Sequence, residues 1–346
     1  MRPFRLVLCV AVLAAFTGCP GGDDDDSTGG IDGPVDILFV VDNSSSMEDE
    51  QQTLGIEFSA FLGGLAGVDY QIAVTTTDVV SPGNGNQGNA RSAAGVGGAT
   101  CEEPRILRPD DGDVAGAFAD LVDVGIGGAG DETGALAAAF ALCKGQAADF
   151  WGDLEARPDD DPVRVLCSLV PISERATGDT PPCNADATGP LFRPGATPVV
   201  IVISDEGDGA AVRNDLPPPD WLTRCVDDNA SNPNVGSCDC RVEWYASFFA
   251  GLPTPALIHS IAPSYQIAGD VAPWCDGGNI AIPGPCNEFG SSSCSLDLYQ
   301  QLACQSGGSY HPLEENVGGV TAEDPPECRE ANFEDLLAEI AAAIAG

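Results

Sequence analysis

The chain has 346 residues, and 43% of them are hydrophobic, which suffices for a packed core and excludes a disordered protein. Its 53 acidic residues outnumber its 14 lysines and arginines, which gives a formal net charge of −39. Such a charge repels a phosphate backbone, so we predict no nucleic-acid partner.

The N-terminus has the composition of a targeting segment. Two arginines precede an apolar run at residues 6–16, and a glycine then leads into Cys19. The run is too short to span a bilayer as a stable helix. The stretch resembles a bacterial lipoprotein signal, although Phe16 stands where leucine is usual. The resemblance implies that residues 1–18 are removed and that Cys19 is lipidated. A plain signal peptide is the alternative.

An acidic segment rich in Gly and Asp follows at residues 19–33 and predicts a solvated tether between the lipid and a folded domain at residues 34–346. Pro20 follows the lipidated cysteine where an aspartate would favour retention in the inner membrane. By resemblance to enteric bacteria, we expect an exported protein that is lipid-anchored to the outer membrane of the cell envelope.

The folded domain alternates strand-like and helix-like segments. Continuous apolar runs typical of strands buried on both faces lie at residues 35–41, 70–74, 198–203 and 256–262. Apolar residues at helical spacing lie at residues 47–65, 114–122, 132–143 and 332–344. This alternation predicts an α/β fold with a mostly parallel sheet and helices on both faces.

Long stretches rich in Pro, Gly, Asp and Cys interrupt this frame. They lie near residues 81–109, 145–197, 207–251 and 263–307 and predict loop insertions. Of the 14 cysteines, Cys9 lies in the signal and Cys19 is the lipidation site, which leaves an even number for an oxidising compartment. We therefore expect disulfide bonds to hold the insertions, with a connectivity that the sequence does not give.

Oxygen-bearing side chains follow two of the predicted strands. The strand at residues 35–41 ends at Asp42, and Ser44 and Ser46 follow at alternate positions, while the strand at residues 198–203 leads to Asp205. In open parallel sheets, ligands bind beyond the carboxyl ends of the strands. Carboxylates and hydroxyls suit a hard cation, Mg²⁺ or Ca²⁺. A serine-rich helix cap is the alternative at Asp42, and solubility or a salty habitat is the alternative explanation of the acidity.

An apolar strand that ends in Asp-x-Ser-x-Ser before a helix resembles the von Willebrand factor type A (VWA) domain. The resemblance implies a doubly wound sheet and a metal-ion-dependent adhesion site in which Asp42, Ser44, Ser46 and Asp205 are ligands. The family adds a threonine from a Thr-x-Thr-Gly loop. Here Thr133-Gly134 aligns with the second threonine and Asp131 with the first, so either Thr133 or Asp131 is the further ligand.

These features predict a cell-envelope lipoprotein that uses a bound Mg²⁺ or Ca²⁺ for adhesion to a protein partner, which presents an Asp or Glu carboxylate. One alternative is a structural envelope protein that binds the cation only for stability. The other is an exported hydrolase. The chain has only two histidines and no G-x-S-x-G or H-E-x-x-H motif, so we predict that it is not an enzyme.

Overall fold

The computed structural model describes residues 31–79, 87–92, 104–128, 133–177, 182–205, 208, 238–262, 294–313 and 333–346. The strands are β1 (Val35–Val41), β2 (Tyr70–Thr76), β3 (Ala185–Asp186), β4 (Gly189–Pro190), β5 (Thr197–Ile203), β6 (Leu257–Ala262) and β7 (Tyr310–Pro312). The helices are α1 (Glu48–Gly64), α2 (Val114–Val122), α3 (Gly134–Lys144), α4 (Ala148–Leu154), α5 (Pro162–Ser168), α6 (Cys238–Ala250), α7 (Cys294–Ser306) and α8 (Phe333–Ala345).

The main sheet has the strand order β2-β1-β5-β6-β7, and its neighbouring strands are all parallel. The pairing of Val41 with Ile203 aligns the carboxyl ends of β1 and β5. All seven residues of β1 are buried, as expected for a central strand covered on both faces. The four strands predicted from apolar runs are confirmed, and β7 extends the sheet at one edge.

Successive residues of β1 point to opposite faces of the sheet and enter two separate cores. Ile37 and Phe39 pack with residues of α1, α2 and α8. Leu38 and Val40 pack with residues of α3 to α7. The prediction of a doubly wound α/β fold is therefore confirmed, and the arrangement is VWA-like or Rossmann-like.

Aromatic side chains fill the core between β1 and helices α1 and α2. Phe39 meets Phe58 and Phe118 edge-on, with ring centroids 5.8 and 4.8 Å apart. Each such pair contributes about 0.5–1.5 kcal/mol beyond the area that it buries. These contacts hold α1 and α2 against β1.

Four helices, α4 to α7, lie within or overlap the segments for which the sequence predicts insertions. No sustained apolar period in these segments predicts a helix. The disulfide bond between Cys143 and Cys167 joins α3 to α5, and Cys183 is also disulfide-bonded. The expectation of disulfide bonds in these segments is confirmed for these cysteines, while the domain boundaries stay a prediction.

The predicted signal and most of the tether, with Cys19, lie outside the described residues. In the part of the chain that the structure describes, no helix combines the length and the hydropathy needed to cross a membrane.

Candidate functional site

Asp42 lies directly after β1 and is fully buried. Its backbone N–H donates to Ile203 O at 2.9 Å, which fixes the end of β1 against the end of β5. Its Oδ1 accepts a 2.7 Å hydrogen bond from the backbone N–H of Ser44. The hydroxyls of Ser44 and exposed Ser46 lie 3.0 Å apart, so these two side-chain oxygens lie close together.

The end of β5 supplies the second side of the site. Ser204 donates its hydroxyl proton to Asp42 Oδ2 at 2.5 Å. Asp205 follows and is half-buried, and its Oδ1 is buried without a hydrogen-bond partner among the residues that the structure describes. The sequence analysis selected Asp205 but missed Ser204, since a serine at a strand end gives no signal that it bonds to another strand.

The two carboxylates affect one another. Burial is the largest cause of the raised pKa of Asp42, and the nearby charge of Asp205 raises it further. Hydrogen bonds from Ser204 and Ser44 lower the pKa but do not offset the burial. A cation between the carboxylates would relieve this cost.

Thr133 lies at the same edge of the sheet and is buried. Its hydroxyl donates to Thr77 O at 2.8 Å, and the Thr77 N–H donates to Val41 O at 3.1 Å. Thr133 is therefore linked through Thr77 to the end of β1. Asp131, the other candidate ligand, lies outside the described residues, so the choice between Thr133 and Asp131 stays open.

Asp208 is a buried acid that the sequence analysis did not select as a site residue. Its Oδ2 accepts a 2.8 Å hydrogen bond from the backbone N–H of Ala135, in the first turn of α3. Helix N-termini leave such N–H groups without helical partners and favour negative charge. Asp208 thus holds the start of α3, and with it Thr133, against the end of β5.

Residues 123–128, which follow α2, lie over the end of the first strand. The Gln51 side chain donates to Asp42 O at 2.9 Å and to Gly125 O at 3.1 Å, which ties α1 to both segments. The Gly128 N–H donates to Asn43 O at 2.9 Å. A Cβ at Gly128 would lie 2.5 Å from Asn43 Oδ1, so any larger residue would require the Asn43 side chain to move.

The donor set consists of oxygens, which suits Mg²⁺ or Ca²⁺. Among the described residues, no group of three or more His, Cys, Asp or Glu side chains could hold a metal ion. A site here would therefore use the carboxylates of Asp42 and Asp205 with hydroxyl ligands. The unpartnered Asp205 Oδ1 fits that requirement, because a buried carboxylate oxygen needs a donor or a cation.

A second polar array lies between β6, β7 and α8. Ser309 Oγ lies 2.8 Å from both His259 Nδ1 and His311 Nε2, and His311 Nδ1 lies 3.5 Å from Glu339 Oε2. His259 is 2% exposed.

Ser309, His311 and Glu339 contact one another in turn, in the spatial order of a nucleophile, a base and an acid. Acyl transfer also needs free donors for the developing oxyanion. The Ser309 N–H donates to His259 Nδ1 at 3.1 Å, and the Gly308 N–H donates to Ala303 O at 3.0 Å. The backbone N–H groups of Gly308 and Ser309 are therefore engaged within the fold.

Neither a protein-family model nor a curated protein matches the chain. An aerotolerance-related membrane protein from Bacteroides fragilis NCTC 9343, crystallised with multiple mutations to serines, is 11% identical, with a TM-score of 0.35. That likeness covers 90% of this chain and 98% of the other. The pilus adhesin SpaC from Lactobacillus rhamnosus GG, in its open conformation, is 13% identical, with a TM-score of 0.26, over 51% of this chain and 15% of the other. Because both TM-scores are low, the fold assignment rests on the sheet topology.

Proposed function

We propose that the chain binds one divalent cation at the carboxyl ends of β1 and β5 and uses it to bind a protein partner at the cell envelope. The observation that supports this most directly is the buried, unpartnered Oδ1 of Asp205 beside the buried carboxylate of Asp42. Burial and mutual repulsion disfavour two charged carboxylates at this position unless a cation lies between them.

Asp42 and Asp205 would supply the charge, and the hydroxyls of Ser44, Ser46 and Thr133 would supply further oxygens. Two carboxylates would balance the charge of a divalent cation, so the occupied site would carry no net charge. The cation could then accept one more carboxylate from a partner. If Asp131 is the further ligand instead of Thr133, a third negative charge makes that last step less favourable. The cation would supply a Lewis-acidic coordination position for the partner's Asp or Glu side chain.

An apolar side chain beside the site favours a protein partner. Ile126 is 45% exposed and is one of three large hydrophobic residues described as exposed. It lies between Gly125 and Gly128, whose backbones bond to Gln51 and Asn43 around the strand end. A partner that brings a carboxylate to the cation would also cover Ile126, and buried apolar contacts beside a polar anchor are typical of protein interfaces.

Titration calorimetry with Mg²⁺ and with Ca²⁺ tests the cation site. The wild type should bind one cation, and Asp42→Ala and Asp205→Ala should lose most of that affinity. Asp153→Ala, at an exposed position of α4, is the matched control and should bind as the wild type does. Thr133→Ala and Asp131→Ala should differ, because only the ligand weakens binding strongly. If Asp42→Ala and Asp205→Ala both bind the cation as the wild type does, there is no cation site here and the Asp42 loop is a serine-rich helix cap.

Chelation separates adhesion from a purely structural cation. A pull-down from envelope extracts with and without chelator should recover a partner only when the cation is present, and Asp42→Ala should recover none. If chelation instead lowers the melting temperature strongly and partner capture is unaffected, the cation serves stability alone. We propose that the chain is a binding protein and not an enzyme.

The proposed location is the outer membrane, through a lipid on Cys19. Mass spectrometry of the mature protein should show cleavage before Cys19 and an added lipid mass, and Cys19→Ser should lose both. A mature chain that begins elsewhere without a lipid would indicate a plain signal peptide or none.

A further inference from the structure

Lys144 is the one lysine of the chain, and it is 2% exposed at the end of α3. Its Nζ lies 2.7 Å from Gln87 O, 2.9 Å from Asn89 Oδ1 and 2.7 Å from Glu174 Oε2. Lysine is almost never fully buried unless it is paired. The candidate cation site does not use this group, so its position requires a separate explanation.

The amide of Asn89 is held beside the lysine by its backbone. Asn89 O accepts a 2.9 Å hydrogen bond from the Thr75 hydroxyl. On either side, Gly88 O and the Ala90 N–H bond to the side-chain amide of Asn184, at 2.9 and 2.8 Å. The Nδ2 of Asn89 is buried and has no hydrogen-bond partner among the described residues. The amide oxygen therefore contacts the amine, which places Asn89 Cγ one bond beyond that contact, and the amide nitrogen has no other described partner.

Glu174 completes the cluster. It ends a short 3-10 helix (Ile172–Glu174) and is 9% exposed. The guanidinium of Arg175 donates to Val170 O at 2.8 Å and to Ser168 O at 2.7 Å, which fixes this segment. A carboxylate is thus held in contact with the Lys144 amine, away from solvent.

We propose that Lys144 Nζ forms an intramolecular isopeptide bond with Asn89 Cγ and that Glu174 carries the protons. Nζ gives up two protons through the Glu174 carboxylate as it attacks Cγ. The bond between Cγ and Nδ2 breaks, and the leaving nitrogen takes both protons and departs as ammonium. One carbon–nitrogen bond forms as another breaks, so no oxidant, reductant or further reactant is needed.

The surroundings favour each step. Burial is the largest influence on the pKa of Lys144 and lowers it, which brings the uncharged, nucleophilic amine within reach. Glu174 is within hydrogen-bond distance of that amine, as a proton carrier must be. Holding the amine and the amide in contact removes the entropic cost of bringing them together, which is a large share of such a barrier.

The bond would tie the segment after β2 to the end of α3, between residues 55 positions apart. The disulfide bond of Cys143 already joins the neighbouring position of α3 to α5. Two covalent bonds at adjacent residues would then fix the same helix end to two different segments.

Intact mass spectrometry of the full wild-type chain, denatured, reduced and alkylated, is the test. We expect the chain to lack the mass of one ammonia molecule. Lys144→Met, Asn89→Ala and Glu174→Gln should each keep the full mass. Glu155→Gln, at an exposed glutamate, is the matched control and should still lose ammonia. A wild-type chain of full mass would overturn the proposal, whether or not the variants fold.

Succinimide formation at an asparagine also removes ammonia, so fragmentation must locate the loss. Because the chain has a single lysine, a peptide that joins the Asn89 segment to the Lys144 segment identifies the bond without ambiguity. Lys144 should also resist amine-reactive labels in the denatured chain. Separate peptides with a labelled Lys144 would show an ion pair and no cross-link.

Discussion

The hydroxyl of Ser204 donates to Asp42 Oδ2 at 2.5 Å and so joins the ends of β1 and β5 across 162 positions of sequence. Asp42 is the first residue of the predicted Asp-x-Ser-x-Ser loop, and Ser204 fixes the direction of its carboxylate. Residues that orient a metal ligand affect affinity although they do not touch the metal.

We therefore predict that Ser204→Ala weakens divalent-cation binding by about 10–100-fold while the fold is retained. Ser260→Ala is the matched control, because Ser260 is a buried serine on the adjacent strand β6 whose hydroxyl donates to Tyr299 O. Titration calorimetry should show normal affinity for the control. Equal affinities for both variants would contradict an orienting role for Ser204.

Asp208 caps the start of α3, so Asp208→Ala should lower the free energy of unfolding by about 1 kcal/mol. Asp208→Asn keeps an acceptor oxygen and should lose less. Denaturant titration of the two variants measures the difference. If Asp208→Asn loses more free energy of unfolding than Asp208→Ala, helix capping is not the reason why an acid is buried at this position.

Stability should fall in mildly acidic solution because of the buried histidines. Burial lowers the pKa of His259 and of His311 to about 4, from 6.5. The unfolded chain then binds protons that the folded chain does not bind between pH 6.5 and about 4. The free energy of unfolding therefore decreases as the pH falls through this window, and the loss is complete below it.

The variant His259→Gln/His311→Gln should show a shallower decrease when thermal unfolding is followed across that pH range. Asp36 acts in the opposite direction, because burial raises its pKa to about 6 and the folded chain holds that proton longer. That contribution is common to both proteins and cancels in the comparison. Glu339, the acid that faces His311, is mostly exposed and is unchanged in the variant. Identical pH profiles would mean that the histidines titrate normally.

The disulfide bond between Cys143 and Cys167 closes a loop with a sequence separation of 24. Its removal in Cys143→Ala/Cys167→Ala should lower the free energy of unfolding by about 3 kcal/mol, because the unfolded chain regains the entropy of an open loop. Denaturant titration measures this loss. Each single variant should lose a similar amount, since one bond is broken in every case, and additive losses would argue against the pairing.

The sequence by itself determined the frame of the fold. The strands β1 and β5 are continuous apolar runs, which indicates burial on both faces of the sheet. The helix α8 has a regular apolar face, which indicates burial on one side. Each of these signals lies within its own segment. The positions of Asp42 and Asp205 follow from the same local signal, because Asp42 comes directly after an apolar strand and Asp205 comes one residue after another. The helices α6 and α7 were missed, since the segments that contain them are rich in cysteine and polar residues and show no sustained apolar period.

Only the tertiary structure decided which side chains meet. Ser204 reaches Asp42 because β1 and β5 are aligned in register, and His259 and His311 share Ser309 because β6 and β7 are neighbours. The amine of Lys144 meets Asn89 because the segment after β2 folds back on α3. Such contacts depend on strand order and loop paths, which no local pattern of residues encodes. The physical reason is that a side chain gains its partner through packing between elements and not through its own neighbours in the chain.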